Sequence, residues 1–135
     1  MFIRVHPWLN LLVDFDWKKL SEIASNEVES TLKSIPKPLR EKALGLVVTF
    51  EQKPSRELQK DGIEEDTLGL FCGPDFAEEE HVPMPPQIIL FLENIWGLAE
   101  GDEKVFRDEI RTTFLHELGH YLGLDEDDLI DRELD

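Results

Sequence analysis

The stretch His116-Glu117-Leu118-Gly119-His120-Tyr121-Leu122-Gly123-Leu124-Asp125-Glu126 decides how the rest of the chain is read. Two histidines four apart on a helix share one face, about one turn from each other. Both imidazoles can then reach one tetrahedral zinc ion, which is why His-Glu-x-x-His on a helix points to metal-assisted hydrolysis. Glu117 follows the first histidine, rotated about 100° around the helix. Its carboxylate therefore stands beside the metal, where it can take a proton from water. In a chain of this composition the His-Glu-x-x-His pattern arises by chance in roughly one sequence in seventy. Requiring Gly123 and an acid at 126 lowers that to on the order of one in several thousand, so the longer unit is the informative one.

Two histidines leave a catalytic zinc one protein ligand short of the usual three. Gly123 falls where a helix ends on a left-handed residue. A sharp turn there brings Glu126, six residues after His120, back toward the metal. Asp125, Asp127 and Asp128 crowd the same turn, and any of them can replace Glu126 if the turn differs by one residue. From Asp127 onward the preferred reading is a solvated acidic tail. An anionic third ligand leaves less positive charge on the metal than a third imidazole would, which makes Glu117 more important as a base. Leu115, Leu118 and Leu122 read as core. Gly119 costs roughly 1 kcal/mol relative to alanine in a helix interior and suggests close approach of a strand or ligand. Tyr121 reads as a packed aromatic. His6 and His81 stand in no metal-binding pattern and read as ordinary residues.

Upstream of this unit, Asp102 is an N-cap with Glu103 in the first turn. Val105, Phe106, Glu109, Ile110, Thr113, Phe114 and Leu118 form a stripe expected to face a sheet, with the histidines offset toward a cleft. An earlier helix is predicted from the Asp16 cap, with Trp17, Leu20, Ile23, Ala24, Val28, Thr31, Leu32 and Ile35 at three- and four-residue steps. Pro36 and Pro38 end it, and Pro38 opens a short helical turn through Ala43. Leu44 to Phe50 reads as a largely buried strand, and 51–66 as loop with one helical turn at most. Leu68 to Cys72 is a second, short strand, whose glycines at 69 and 73 suggest close backbone approach or a bend. Pro74 to Pro86 reads as a flexible loop, Gln87 to Leu92 as a third strand, and Asn94 to Gly101 as a connector.

The 135 residues are read as one domain, with an extension over 1–15 and an acidic tail over 127–135. A net charge of −16 opposes phosphate backbones and anionic membranes, so neither nucleic acid nor membrane is expected as a partner. It favours cationic ligands such as basic peptide segments and metal ions. Cys72 is the single cysteine, which excludes an intrachain disulfide and a cysteine-based zinc site and fits a cytoplasmic location. The longest apolar run near the N-terminus, Trp8 to Val13, is too short for a signal peptide or a membrane span.

With these residues laid out, the chain resembles the minimal matrix-metalloprotease-like zincin family, small bacterial predicted zinc metallopeptidases, over roughly residues 16 to 130. The resemblance includes the first helix with its Ile35-Pro36 break, the strand 45–51, Leu68-Gly69-Leu70-Phe71, the strand 87–92 and the motif helix. The family's two zinc histidines, glutamate, glycine and acidic residue fall on His116, His120, Glu117, Gly123 and Glu126. The resemblance implies an α+β, zincin-like fold, a small mixed sheet of about three to four strands packed on the motif helix and an N-terminal helix. It implies Zn2+ as cofactor and a peptide or protein substrate bound by strand addition at a sheet edge. The methionines are Met1 and Met84, so no methionine turn follows the zinc motif. Two other readings compete. One is a metal-binding interaction module without catalysis, against which the intact Glu117 argues. The other is a metal-dependent endoribonuclease of His-x-x-x-His-x-x-x-x-x-His type, which would need a third histidine and is opposed by the acidic charge.

Overall fold

The computed structural model describes residues 15–73 and 85–124. Asp16 opens the first helix, α1 (Trp17–Ser34), by accepting the Lys19 N–H at 3.1 Å. This satisfies one of the amides that the first turn leaves without an intrahelical partner. Leu20, Ile23, Ala24, Val28 and Thr31 are buried along one face, as their spacing predicts. Ile35 then turns extended, the conformation forced on a residue before proline, and Pro36 N-caps α2 (Lys37–Lys42).

The strand expected from Leu44 begins later. Ala43–Gly45 is a 3-10 turn that leaves Leu44 82% exposed, and β1 runs Val47–Glu51. Nor is this strand buried on both faces, as its apolar run suggested. It is an edge strand, with Val48 and Phe50 packed on the core and Val47 and Glu51 exposed. The polar stretch that follows holds α3 (Arg56–Lys60), capped by Ser55 through the Leu58 N–H. Two further strands, β2 (Gly69–Cys72) and β3 (Gln87–Phe91), complete a mixed sheet of order β1-β3-β2. β1 runs parallel to β3, with Val47 opposite Gln87; β2 runs antiparallel to it, with Gly69 opposite Leu90. The central place of β3 explains why Ile88 to Phe91 are all buried.

Leu92 does not extend the strand, and the segment after it is not a plain connector: Leu92–Leu98 is helix α4. Leu92, Ile95 and Ala99 are buried at helical spacing, but the apolar run of β3 passes into them without a break, which hides the boundary. Left-handed Glu100 (φ 53°) and Gly101 (φ 77°) end this turn of chain. Asp102 then accepts the Val105 N–H at 3.1 Å and starts α5 (Glu103–Leu122).

Phe106, Ile110, Phe114 and Leu118 of α5 are fully buried. Val105, read as part of the buried stripe, is 39% exposed and Glu109 is half-buried, so the stripe's true centre lies one residue further on. α5 packs on β2 and β3 and also against α1 and α4. The N-terminal helix makes its main contact with the motif helix, within the mixed α+β arrangement expected. Among the described residues no helix is long and apolar enough to cross a membrane. Residues 1–14, 74–84 and 125–135 lie outside the described residues, and with them most of the extension read over 1–15, most of the loop read over 74–86 and all of the acidic tail read over 127–135.

Candidate metal centre

His116, Glu117 and His120 come from the last two turns of α5, where the helix changes from a one-sided stripe to burial on several sides. Leu115, Leu118 and Tyr121 are buried around the motif, while both histidines are exposed. The angular separation of 116 and 120 from the stripe therefore takes the form that the spacing predicts. Their rings lie edge to face with centroids 4.6 Å apart. One ligand atom from each of His116, Glu117 and His120 can be chosen so that all three lie within 4.8 Å of one another.

Glu117 differs from its neighbours. Its side chain is 10% exposed, and its Oε1 stands 3.4 Å from His120 Nδ1. A carboxylate engaged with one imidazole nitrogen orients the ring and leaves Nε2 as the nitrogen that can ligate. The donor chemistry of the cluster, two imidazoles with a carboxylate alongside, fits zinc. The exposure of both rings leaves them open to an ion from solvent.

The shelter of Glu117 comes from the edge strand β2. A Cβ placed on Gly69 would meet Thr113 Cγ2 at 2.6 Å and both Glu117 Cγ and Leu90 Cδ2 at 3.3 Å. Two residues on, the Phe71 ring lies 5.8 Å from that of Tyr121. β2 therefore runs along the flank of the motif. Sequence reasoning flagged the glycine for a close approach without finding what it approaches, and it missed Thr113 as the neighbour of Glu117. Tyr121 is 1% exposed and its hydroxyl donates to the Lys42 carbonyl at 3.3 Å, so it is a packed residue as expected.

The helix ends as the motif requires. Gly123 is left-handed (φ 73°, ψ 28°), and the N–H groups of Gly123 and Leu124 both turn back to the Gly119 carbonyl. Leu124, the next residue, packs against the core. Glu126, together with Asp125 and Asp127, lies outside the described residues.

Cys72 at the end of β2 senses this site. Its thiol is pushed above the ordinary value by burial, and further by the negative charges of Glu117 and Glu51.

A family model described as zincin-like metallopeptidase matches residues 43–135. The match begins at the 3-10 turn before β1 and takes in the sheet and α5, leaving α1 and α2 outside. No curated protein matches the chain.

Proposed function

The chain belongs to the zincin-like metallopeptidase family, and from that premise we propose that it is a zinc-dependent peptidase with Glu117 as general base. His116, His120 and Glu126 are the metal ligands in this reading. The observation that carries it is the cluster on α5, two exposed imidazoles with a nearly buried carboxylate between them. Zinc, when bound, supplies a Lewis acid that acidifies water and polarises a carbonyl. Glu117 takes the proton of the attacking water as the new C–O bond forms. It then hands that proton to the amide nitrogen as the C–N bond breaks, so the amine leaves neutral and the base is regenerated. Its contact with His120 and its cover by β2 hold the carboxylate in place for both transfers.

The edge of β2 supports an extended peptide as substrate. Phe91 N–H donates to the Leu68 carbonyl at 2.9 Å, which sets the phase of the β2–β3 ladder. In that phase Leu70 and Cys72 bond to β3, whereas the N–H and C=O of Gly69 and Phe71 turn to the outer edge. A peptide paired there lies beside Glu117. The net charge of −16 favours basic peptides over acidic ones, and the single thiol accords with a cytoplasmic setting.

Zinc content and cleavage of a diverse peptide library, measured on wild type and Glu117→Gln, test the reading. Both proteins should hold zinc, and the variant should lose about 10²–10⁴-fold in turnover. Zinc-loaded wild type that cleaves nothing would sink the peptidase reading. A His116→Ala variant with undiminished zinc would overturn the ligand assignment.

A further inference from the structure

We propose that Gly69 is a positioning residue for Glu117: the missing side chain on the edge strand sets where the carboxylate stands. The inference rests on Glu117 being the general base. Gly69 is not required by backbone conformation, since its φ lies outside the left-handed range; it is required by space. A methyl group there would overlap Thr113 Cγ2 at 2.6 Å and press on Leu90 Cδ2 and Glu117 Cγ, each at 3.3 Å. These three neighbours are unequal. Leu90 is fully buried in the core, and Thr113 is 7% exposed with a β-branched side chain that has little rotamer freedom. Glu117 is as deeply buried as Thr113, at 7% exposed, but its unbranched side chain has more rotamers and ends at His120, so its stem is the part that can move. Any side chain at 69 therefore either lifts β2 from α5 or swings the carboxylate away from His120.

The same residue also fixes the substrate side of the geometry. Because Gly69 turns its N–H and C=O to the outer edge, its contact with the Glu117 stem sets the distance from base to edge. One close approach thereby couples the strand that would pair with a peptide to the group that would move the proton. A general base works only within hydrogen-bond reach of its proton, and a displacement near 1 Å can cost about 10²-fold in rate.

The experiment compares Gly69→Ala, Thr113→Ser and the double variant in zinc content, thermal midpoint, kcat and KM. Thr113→Ser removes the Cγ2 atom responsible for the worst overlap and should behave like wild type. Gly69→Ala should keep its zinc and its KM while kcat falls roughly 10–100-fold. The double variant should fall between the two, because the 3.3 Å approach to Glu117 remains. Gly69→Ala with wild-type kcat and a lowered midpoint would reduce Gly69 to packing and overturn the proposal. If Gly69→Ala fails to fold, the double variant must fold and turn over several-fold slower than Thr113→Ser; parity between them would overturn it equally.

Failure of the peptidase reading is distinguishable, since it appears as zinc-loaded wild type without cleavage. The readout is then the visible spectrum of the cobalt-loaded protein at one fixed pH. Gly69→Ala must change that spectrum in the direction of Glu117→Gln, with partial return in the double variant. A wild-type spectrum in Gly69→Ala would overturn the inference without reference to activity.

Discussion

Cys72 stands near enough to Glu117 for the carboxylate to oppose ionisation of its thiol, after burial and ahead of Glu51. Alkylation of this single cysteine in chelated protein should therefore show a pH midpoint above that of an ordinary thiol. Glu117→Gln should move the midpoint down and raise the rate at pH 8, because the thiolate is the reacting form. An unchanged rate would mean that the two groups do not sense each other in solution. The clustering of His116, Glu117 and His120 was legible because it is local: a spacing of four and one intervening glutamate are properties of a single helix. The cover over Glu117 was not legible. It depends on a strand 48 positions earlier in the chain, and periodicity carries no information about which strand will lie against which turn. Gly69 was the one visible trace of that packing, since a glycine inside an apolar strand has to answer to something nearby.

Element boundaries divide in the same way. Both long helices were predicted from their caps and stripes, and Asp16 and Asp102 accept the third amide of their helices as such caps do. β1 was misread because an almost unbroken apolar run, Leu46 to Phe50 with only Thr49 polar, looks the same at the edge of a sheet as at its centre, where β3 lies. α4 was missed because its first residue continues the apolar run of β3 and the strand signal overrides a spacing of three. The C-terminus of α5 offers a clean test. A Cβ on Gly123 would meet nothing within 4 Å, so its glycine serves backbone conformation alone. Gly123→Ala should cost about 1–2 kcal/mol for placing an L-residue in the left-handed region. Gly123→Asn should cost less, because asparagine tolerates that region better. Chemical denaturation measures both, and equal losses would point to a contact at 123 in place of a strained φ.

For the whole molecule, pH acts through groups of opposite sense. Glu103 joins the start of α5 to Lys19 of α1 at 3.2 Å and pairs with Arg107 at 3.1 Å. Its carboxyl is lowered, first by the Lys19 hydrogen bond and then by that of Arg107. A folded pKa below the unfolded one adds stability that is present above the unfolded value, 4.5, and lost as pH falls through the folded one. Cys72 runs the other way: its raised thiol contributes stability that is complete below about pH 9 and lost on further rise. Because these pairs are solvent-exposed their share is small: Glu103→Gln should remove a minor part of the acid limb of a stability–pH curve and leave the alkaline limb unchanged, as thermal melts between pH 3 and 10 would show. An acid limb identical to wild type would leave the Lys19 and Arg107 pairs without measurable weight. The sheet also has a seam. At Gly73, where φ is +97°, a Cβ would come within 3.0 Å of the Pro85 carbonyl oxygen and 3.2 Å of the Pro86 Cα. The chain thus departs from the β2–β3 hairpin and rejoins it at nearly the same point. Two ends already held together make the connecting length almost indifferent to the fold, since doubling it costs only about 0.6 kcal/mol of closure entropy. Segments of different length and charge joined between Gly73 and Pro85 should therefore leave the strands and the helix behind them in register.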